Sequence, residues 1–493
     1  MKALFSAVAL LGLCSCAESQ KYPNIIYILA DDMGYGDIQR YNPSSKIPTP
    51  VLDSLASCGI SFIDAHSNSA VSTPTRYGTL TGQYSFRSSL KKGVLTGYSS
   101  PLIVEGTETV ASLLQQHGYR TACVGKWHLG LNWTRRDTTQ ALYEGDEWNL
   151  GKSNVDYSAL ISGGPTDCGF DYSYIIPASL DMPPYLYIEN GRATSAQMNQ
   201  APDYRDEHIR GAFYRHGDVA SDFDHTTCLQ QLTLKSEQFI ERAAHADQPY
   251  FLYFALTAPH SPWFPDDANQ GRSQAGAYGD FVSMVDDVVG EICTAVRQSG
   301  KADNTIIIFA SDNGSMWKDA DILATGHQSN GAWSGAKSDL WEGGHRVPFI
   351  VNWPKKIKSA VKSHQLICST DLFATLQDML HLDRPSTAID SRSFWRVLSG
   401  EGNQNLRNGM VYHSVNGYFA YREGDWVLVD CKGSGGWALT EEAAADSLPL
   451  QLYNLKTDTL QRRNLCNVYP ERVQAMKLKL EEVKQRKVAN GCK

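Results

Sequence analysis

Two residue pairs far apart in the chain, Asp31-Asp32 and Asp312-Asn313, offer three carboxylates and an amide oxygen. Neither pair has a His or Cys beside it. An all-oxygen donor set suits a hard cation, Ca2+ with Mg2+ as the alternative. Taken singly, each pair is also an ordinary turn. The segment "AVSTPTRYGTLTG" (70–82) poses a second question. Pro74 suits the first position of a helix, and Gly82 suits its end. Ser72 then sits at a helix N-terminus, where backbone N–H groups and the dipole favour an anion. Arg76 follows one turn later on the same face. A bare serine is a poor nucleophile without a base or a metal. On these residues alone the segment is either a capped surface helix or an activated nucleophile beside its electrostatic partner. Lys126 and His128 in "GKWHLG" (125–130) and His260 in "APHSPW" (258–263) are acid–base candidates. A lone buried histidine is more often a core residue satisfied by hydrogen bonds.

The elements that would carry these residues are legible. "NIIYILA" (24–30), "TACVG" (121–125), "PYFLYFALTA" (249–258) and "NTIIIFA" (304–310) are apolar, β-branched or aromatic runs that stop abruptly at polar residues. Between them lie helical patterns at 109–118, 226–244 and 281–300. Buried strands alternating with helices predict an α/β fold with a large, mainly parallel sheet flanked by helices. In such sheets ligands bind beyond the carboxyl ends of the strands, where all four polar clusters fall. The texture changes at the Gly/Asn-rich "GEGNQNLRNG" (400–409), which reads as a linker. After it, "MVYHSV", "YFAYREG" and "DWVLVD" predict a small antiparallel sheet, and "PERVQAMKLKLEEVKQRK" predicts one helix. The expected organisation is a catalytic domain over 22–399 and a C-terminal α+β subdomain over 410–493.

The chain has 493 residues, 42% hydrophobic and 20% charged, an ordinary globular balance. Its net charge of −8 argues against a nucleic-acid partner. The opening "MKALFSAVALLGLCSC" (1–16) joins Lys2 to an apolar run too short to span a bilayer, which reads as a secretory signal. Its end resembles a bacterial lipoprotein box with Cys16 as the lipidated residue; simple cleavage is the alternative. The expected location is outside the cytoplasm, as a periplasmic protein or an outer-membrane lipoprotein. The chain has 11 cysteines, dispersed and without a CxxC pair, which argues against a zinc site.

The pattern S-x-P-x-R-x-x-x-L-T-G (72–82) resembles the signature of the type I sulfatases, within the alkaline-phosphatase-like superfamily. "NIIYILADDMGYGD" resembles the family's opening strand, "GKWHLG" its Lys-Trp-His block and "APHSPW" its second histidine. "SDNG" (311–314) resembles its second metal cluster, and "GAKSDLWEGGHRVPFIVNWP" (335–354) its lysine block. The resemblance runs in family order over almost the whole mature chain. It implies that residue 72 is oxidised to formylglycine, whose hydrate offers one hydroxyl to attack sulfur and a second to expel the sulfate. It implies Ca2+ held by Asp31, Asp32, Asp312, Asn313 and residue 72. Arg76, Lys126 and Lys337 would neutralise the sulfate, His260 would protonate the leaving oxygen, and His128 would take the proton of the second hydroxyl. Ser rather than Cys at 72 implies maturation by an anaerobic radical enzyme, and so a bacterial source.

Within the family, the loops at 87–103, 177–191 and 325–337 look like those of bacterial carbohydrate sulfatases related to galactose- and N-acetylgalactosamine-6-sulfatases. Asp181, His327 and Asn330 are candidates to bind sugar hydroxyls, with turn or packing roles as the alternative. The expected substrate is a sulfated glycan carrying a 6-O-sulfated galactose or N-acetylgalactosamine. One alternative is a phosphoesterase of the same superfamily. Its members with unmodified Ser or Thr bind two zinc ions through further His and Asp ligands, which the strand ends here do not offer. The other is an inactive glycan-binding homologue, although no expected catalytic position is missing.

Overall fold

The structure, a computed structural model, describes residues 22–487 apart from 149, 384–385 and 403–405. The signal segment and Cys16 lie outside the described residues. No described helix is long and apolar enough to cross a membrane. Eight described cysteines are free, all but Cys58 buried.

Ten strands form the main sheet: β1 (Asn24–Ala30), β2 (Ile60–Phe62), β3 (Arg120–Lys126), β4 (Tyr172–Ile176), β5 (Ile188–Glu189), β6 (Arg192–Ala193), β7 (Tyr250–Ala255), β8 (Thr305–Ser311), β9 (Phe349–Asn352) and β10 (Val361–Ser363). Their spatial order is β10-β2-β9-β8-β1-β7-β3-β4-β5-β6. The central five, β8-β1-β7-β3-β4, run parallel. One antiparallel strand flanks this core on each side, β9 against β8 and β5 against β4, and beyond them β2, β10 and β6 return to the central direction. The four runs expected from the sequence are thus the four innermost strands of one sheet.

Period-two alternation assigns their side chains to two cores. Ile25, Tyr27 and Leu29 face a layer containing α1 (Ser72–Thr81) and α2 (Val110–Gln116). Ile26, Ile28 and Ala30 face α3 (Cys228–Ala244) and α4 (Gly276–Gln298). The strands are apolar on both faces because helices cover both. Each fully buried Ile or Leu contributes about 1.5–3 kcal/mol relative to exposure.

The register sets the site. Ala30 pairs with Ser311, so Asp31 and Asp312 emerge side by side, and Asp312 N donates to Ala30 O at 3.0 Å. Ala255 pairs with Gly125, which brings Lys126 to the same edge. Gly125 has φ +113°, and an added Cβ would lie 1.8 Å from Ala255 O, so only glycine fits the bend before Lys126.

A second sheet follows: β11 (Met410–His413), β12 (Phe419–Glu423), β13 (Trp426–Val429) and β14 (Gln451–Asn454), an antiparallel meander with α5 (Pro470–Gln485) packed on it. The fourth strand is one the sequence pattern does not announce. The 431–437 loop reaches back to the larger part, where Ser434 Oγ and Trp437 N donate to Asp339 Oδ1 at 2.8 and 3.0 Å.

Candidate active site

Ser72 is the first residue of α1, preceded by extended Val71 and ended by left-handed Gly82 (φ 64°). Pro74 is therefore third in the helix rather than first. All three opening positions have N–H groups with no intrahelical partner, so proline costs little at any of them. Arg76 lies one turn on, fully buried.

The strand ends surround this helix start. Ser72 Oγ donates to Asp31 Oδ1 at 3.2 Å. Lys126 Nζ bridges the two, at 2.7 Å from Asp31 Oδ2 and 3.3 Å from Ser72 Oγ. Arg76 Nη2 reaches Asp312 Oδ2 at 2.8 Å and Asp31 Oδ1 at 3.4 Å. Lys337 Nζ lies 2.7 Å from Asp32 Oδ2, and Asn313 Nδ2 donates to Asp32 Oδ1 at 2.6 Å. His260 Nε2 is 3.7 Å from Asp32 Oδ2. Asp32 (φ 66°) and His128 (φ 55°) are both left-handed, a conformation costing about 1–3 kcal/mol that surrounding structure must hold.

The charges nearly balance within a buried volume. Burial pushes the Asp31 carboxyl up, but Lys126, His260 and Arg76 together outweigh it and hold its pKa below the ordinary value. Burial pulls Lys126 down, and Arg76 and Lys337 add to that against the attraction of Asp31. Lys337 goes the other way: burial lowers it, yet Asp32 and Asp31 raise it more.

The two histidines have opposite free nitrogens. His128 Nε2 lies 2.7 Å from Leu95 O. A carbonyl only accepts, so Nε2 carries the proton and Nδ1 is a bare acceptor. That Nδ1 is buried without a partner. Burial, then Lys126 and Arg76, push its pKa well down, so the ring stays neutral. His260 Nδ1 lies 2.7 Å from Ser261 O and is the protonated nitrogen, leaving Nε2 toward Asp32.

Above this floor opens a cavity of about 450 Å³, walled by Ser72, His128, Asp181, His260, Lys337 and Trp437 among others. The cavity reaches Asp181, as expected for a ligand-facing residue, and its Oδ1 is buried with no hydrogen-bond partner. Arg215, which sequence reasoning missed, holds the other oxygen at 2.7 Å and the Asp181 carbonyl at 3.0 Å. The signal available was "YRDEHIRGAFYR" (204–215), with arginine at every fifth position among aromatics.

His327 and Asn330 are not brought to this cavity. His327 is fully buried, with Nε2 on Asp37 Oδ1 at 2.8 Å and Nδ1 accepting from Lys46 N at 3.3 Å, so both ring nitrogens are spent. Asn330 is tied to Ser315 through three hydrogen bonds. Both hold the loop together, the alternative role the sequence left open.

Another buried group, His66, Glu342 and His345, has ligand-type atoms close together. Arg346 lies 2.7 Å from Glu342, and Arg422 of β12 lies 2.8 Å from Asp64. Guanidinium groups already occupy the cation positions, so this is an ion-paired joint between the two sheets.

The sulfatase family model matches residues 23–382, about three quarters of the chain. The chain belongs to the sulfatase family. A second model, the N-sulphoglucosamine sulphohydrolase C-terminal region, matches residues 336–486. An N-acetylgalactosamine-6-O-sulfatase of Bacteroides thetaiotaomicron is 31% identical, over 98% of this chain and 98% of its own. The human N-acetylgalactosamine-6-sulfatase is 32% identical over 75% of this chain and 64% of its own. A solved B. thetaiotaomicron structure, described with the metabolism of multiple glycosaminoglycans, superposes with a TM-score of 0.81 at 30% identity. It covers 95% of this chain and 100% of its own. This sulfatase is accordingly a sulfuric ester hydrolase, and its α/β core with a C-terminal four-stranded sheet is the alkaline-phosphatase-like fold expected.

The sulfatase's floor fits a hard cation. Its donors are carboxylate and amide oxygens, and Asn313 Oδ1 is buried without a hydrogen-bond partner. Ligand atoms of Asp31, Asp32 and His260 lie within 4.8 Å of one another. Asp31, Asp32 and Asp312 balance Arg76, Lys126 and Lys337, so a divalent cation leaves net positive charge for an anionic substrate.

Proposed function

We propose that this sulfatase hydrolyses an O-sulfate ester on a glycan, at a 6-O-sulfated galactose or N-acetylgalactosamine. Residue 72 acts as formylglycine made from Ser72, and Ca2+ sits among Asp31, Asp32, Asp312 and Asn313. The observation that carries this reading is Ser72 Oγ within hydrogen-bond reach of both Asp31 and Lys126 on the floor of the cavity. The nearly full-length N-acetylgalactosamine-6-O-sulfatase relative supports the choice of sugar.

Bound there, Ca2+ would supply positive charge and lower the pKa of the attacking hydroxyl. The formylglycine hydrate would supply the hydroxyl that attacks sulfur and the one that later releases sulfate. Arg76, Lys126 and Lys337 hold the sulfate oxygens and spread the developing charge. His260, with Nδ1–H held by Ser261 O, acts through Nε2: a second proton carried there as the imidazolium passes to the sugar oxygen, a poor leaving group without an acid. His128 accepts a proton at Nδ1, the nitrogen its bond to Leu95 leaves bare. Asp181, held by Arg215 through Oδ2, accepts from a sugar hydroxyl beside the sulfate at Oδ1.

The chain is exported, tethered by a lipid on Cys16, and matured at residue 72 by a radical enzyme. The test is sulfate release by the Ser72→Cys protein, made in a host that oxidises cysteine at this motif. The panel is galactose, N-acetylgalactosamine and N-acetylglucosamine, each sulfated at every available position, with a phosphate ester as control. Release from a 6-sulfated galacto sugar supports the reading. Release from another sugar removes the substrate choice, and release of phosphate instead of sulfate removes the reaction.

A further inference from the structure

The end of the main sheet opposite the catalytic floor carries a charge of its own. Asn24, Thr305, Tyr250 and Arg120 begin four of the parallel strands there, and the register places Asn352, Ile60 and Val361 at the same end. The segments that enter or leave the strands at this end are 22–23, 58–59, 117–120, 245–249, 299–304 and 353–362. They hold six cations, Arg120, Lys301, Lys355, Lys356, Lys358 and Lys362, against two carboxylates, Asp247 and Asp303. The chain as a whole has a net charge of −8, so this face runs against the global sign. Of the six cations, all but Lys301 are exposed. Among the described residues, none of the six has a carboxylate oxygen within 4.0 Å. The arginines of the cavity wall, Arg205 and Arg215 among them, lie at the other end of the sheet.

These segments are joined to one another. Arg120 N donates to Pro249 O at 2.9 Å, Lys355 N to Asp303 O at 3.0 Å, and Asn304 Nδ2 to Tyr22 O at 3.3 Å. From β10 to β3 the sheet order spans six strand spacings, about 29 Å at about 4.8 Å each. β1 lies inside that span, so the chain enters the protein through this face and not at its border. Tyr119 Oη donates to Pro23 O at 2.9 Å and fixes the entry point. From residue 16 to residue 22 is six steps, at most about 22 Å of chain. A lipid on Cys16 therefore keeps this face, rather than any other, within reach of a membrane. Asp31 lies about 23 Å from Asn24 in the opposite direction, since β1 rises about 3.3 Å per residue.

We propose that this end of the sheet is a docking surface for an anionic lipid membrane. Its ammonium groups and the Arg120 guanidinium meet headgroup phosphates, and each cation adds roughly a fivefold preference for an anionic over a neutral bilayer. The lipid supplies attachment, and the charged face supplies orientation. The catalytic cavity, at the other end of the same strands, then opens away from the membrane and toward a glycan approaching from solution. The inference rests on the proposed lipid at Cys16 and goes beyond the sulfatase chemistry, which it does not need.

The test uses mature Cys16→Ser protein, which can carry no lipid, with vesicles of phosphatidylcholine alone or mixed equally with phosphatidylglycerol. Sedimentation should recover the protein with the mixed vesicles and not with the neutral ones. Lys355→Gln, Lys356→Gln and Lys358→Gln together should weaken that binding by roughly 100-fold, and added salt should weaken it without any substitution. Lys456→Gln, Arg462→Gln and Arg463→Gln, an equal loss of exposed charge on the C-terminal subdomain, should change it little. No recovery, equal recovery on both vesicles, or equal weakening by the two triple variants overturns the proposal. Binding of soluble dextran sulfate through Lys355, Lys356 and Lys358 without binding of vesicles also overturns it, and makes the face a polysaccharide site. On vesicles bearing the lipidated protein, hydrogen exchange should slow at 299–304 and 353–362 and stay unchanged around Ser72 and Asp181. Slowing at the cavity instead overturns the orientation. An N-terminus found without lipid by peptide mass removes the tether alone, and the Cys16→Ser binding then decides the face.

Discussion

Lowering the pH from 7.5 to 5 should cost this protein stability, and three of its buried histidines away from the cavity carry a large part of the loss. His66, His345 and His413 are each at most 2% exposed. Burial pushes His66 and His413 down to about 4 and His345 to about 3, from an ordinary 6.5. Their folded pKa values lie below their unfolded ones. Their contribution is therefore fully present above pH 6.5 and is lost as pH falls, because the unfolded chain takes up protons the folded chain refuses. At pH 5 each has lost about 1.5 units, or about 2 kcal/mol at 1.36 kcal/mol per unit. The sum is about 6 kcal/mol, an upper figure because His66 and His345 touch at 3.0 Å and do not act independently. Asp286 opposes them. Burial pushes it up to about 6, so it returns about 1 kcal/mol by pH 5. These four groups alone give a loss of roughly 5 kcal/mol, against a typical total stability of about 5–15. Urea unfolding midpoints at pH 7.5, 6 and 5 read it directly. His413 is the clean probe, with Nε2 on Lys91 O and Nδ1 unpartnered. His413→Gln should flatten the slope by up to about 1.4 kcal/mol per pH unit between 6.5 and 4. A wild type equally stable at pH 7.5 and 5, or a His413→Gln protein with the wild-type slope, refutes the reasoning.

Arg215→Gln should lower kcat/KM by about tenfold through the loss of a charge-assisted bond that holds Asp181, with little change in melting temperature because the side chain is 35% exposed. Progress curves and thermal melts check both halves. His327→Asn should cost about 1–3 kcal/mol by leaving buried Asp37 short of a partner, while KM of the surviving folded protein stays at the wild-type value. Calcium should raise the melting temperature with a concentration dependence set by its affinity, chelation should reverse this, and Asp32→Asn should abolish the shift. Differential scanning calorimetry with and without chelator checks it.

The parts of the fold legible in the sequence were those whose physics is local. Runs such as Asn24–Ala30 and Thr305–Ser311 are apolar on both faces, which only a covered parallel sheet explains, and their abrupt polar ends put Asp31 and Asp312 at one edge. Gly82 ends α1 in the left-handed conformation its position suggested. The two-residue shift of the helix start was not legible, because proline is tolerated at several first-turn positions. Arg205 and Arg215 escaped because one rides on a two-residue strand and the other directly follows one, within 198–220, a stretch with no lasting hydrophobic periodicity. His327 and Asn330 sit within ten residues of Lys337, but their partners, Asp37 and Ser315, fix them elsewhere. Loop roles are set by tertiary neighbours that sequence proximity does not reveal.

The central claim is that residue 72, on its floor of carboxylates and cations, performs the hydrolysis. The most direct measurement is sulfate released from N-acetylgalactosamine 6-sulfate by Ser72→Cys and Ser72→Ala proteins, made side by side in a host that oxidises cysteine at this motif, with residue 72 checked by peptide mass. The account predicts steady release from the first and none from the second. Equal release from both, or none from a protein whose residue 72 is verified as formylglycine, would contradict it.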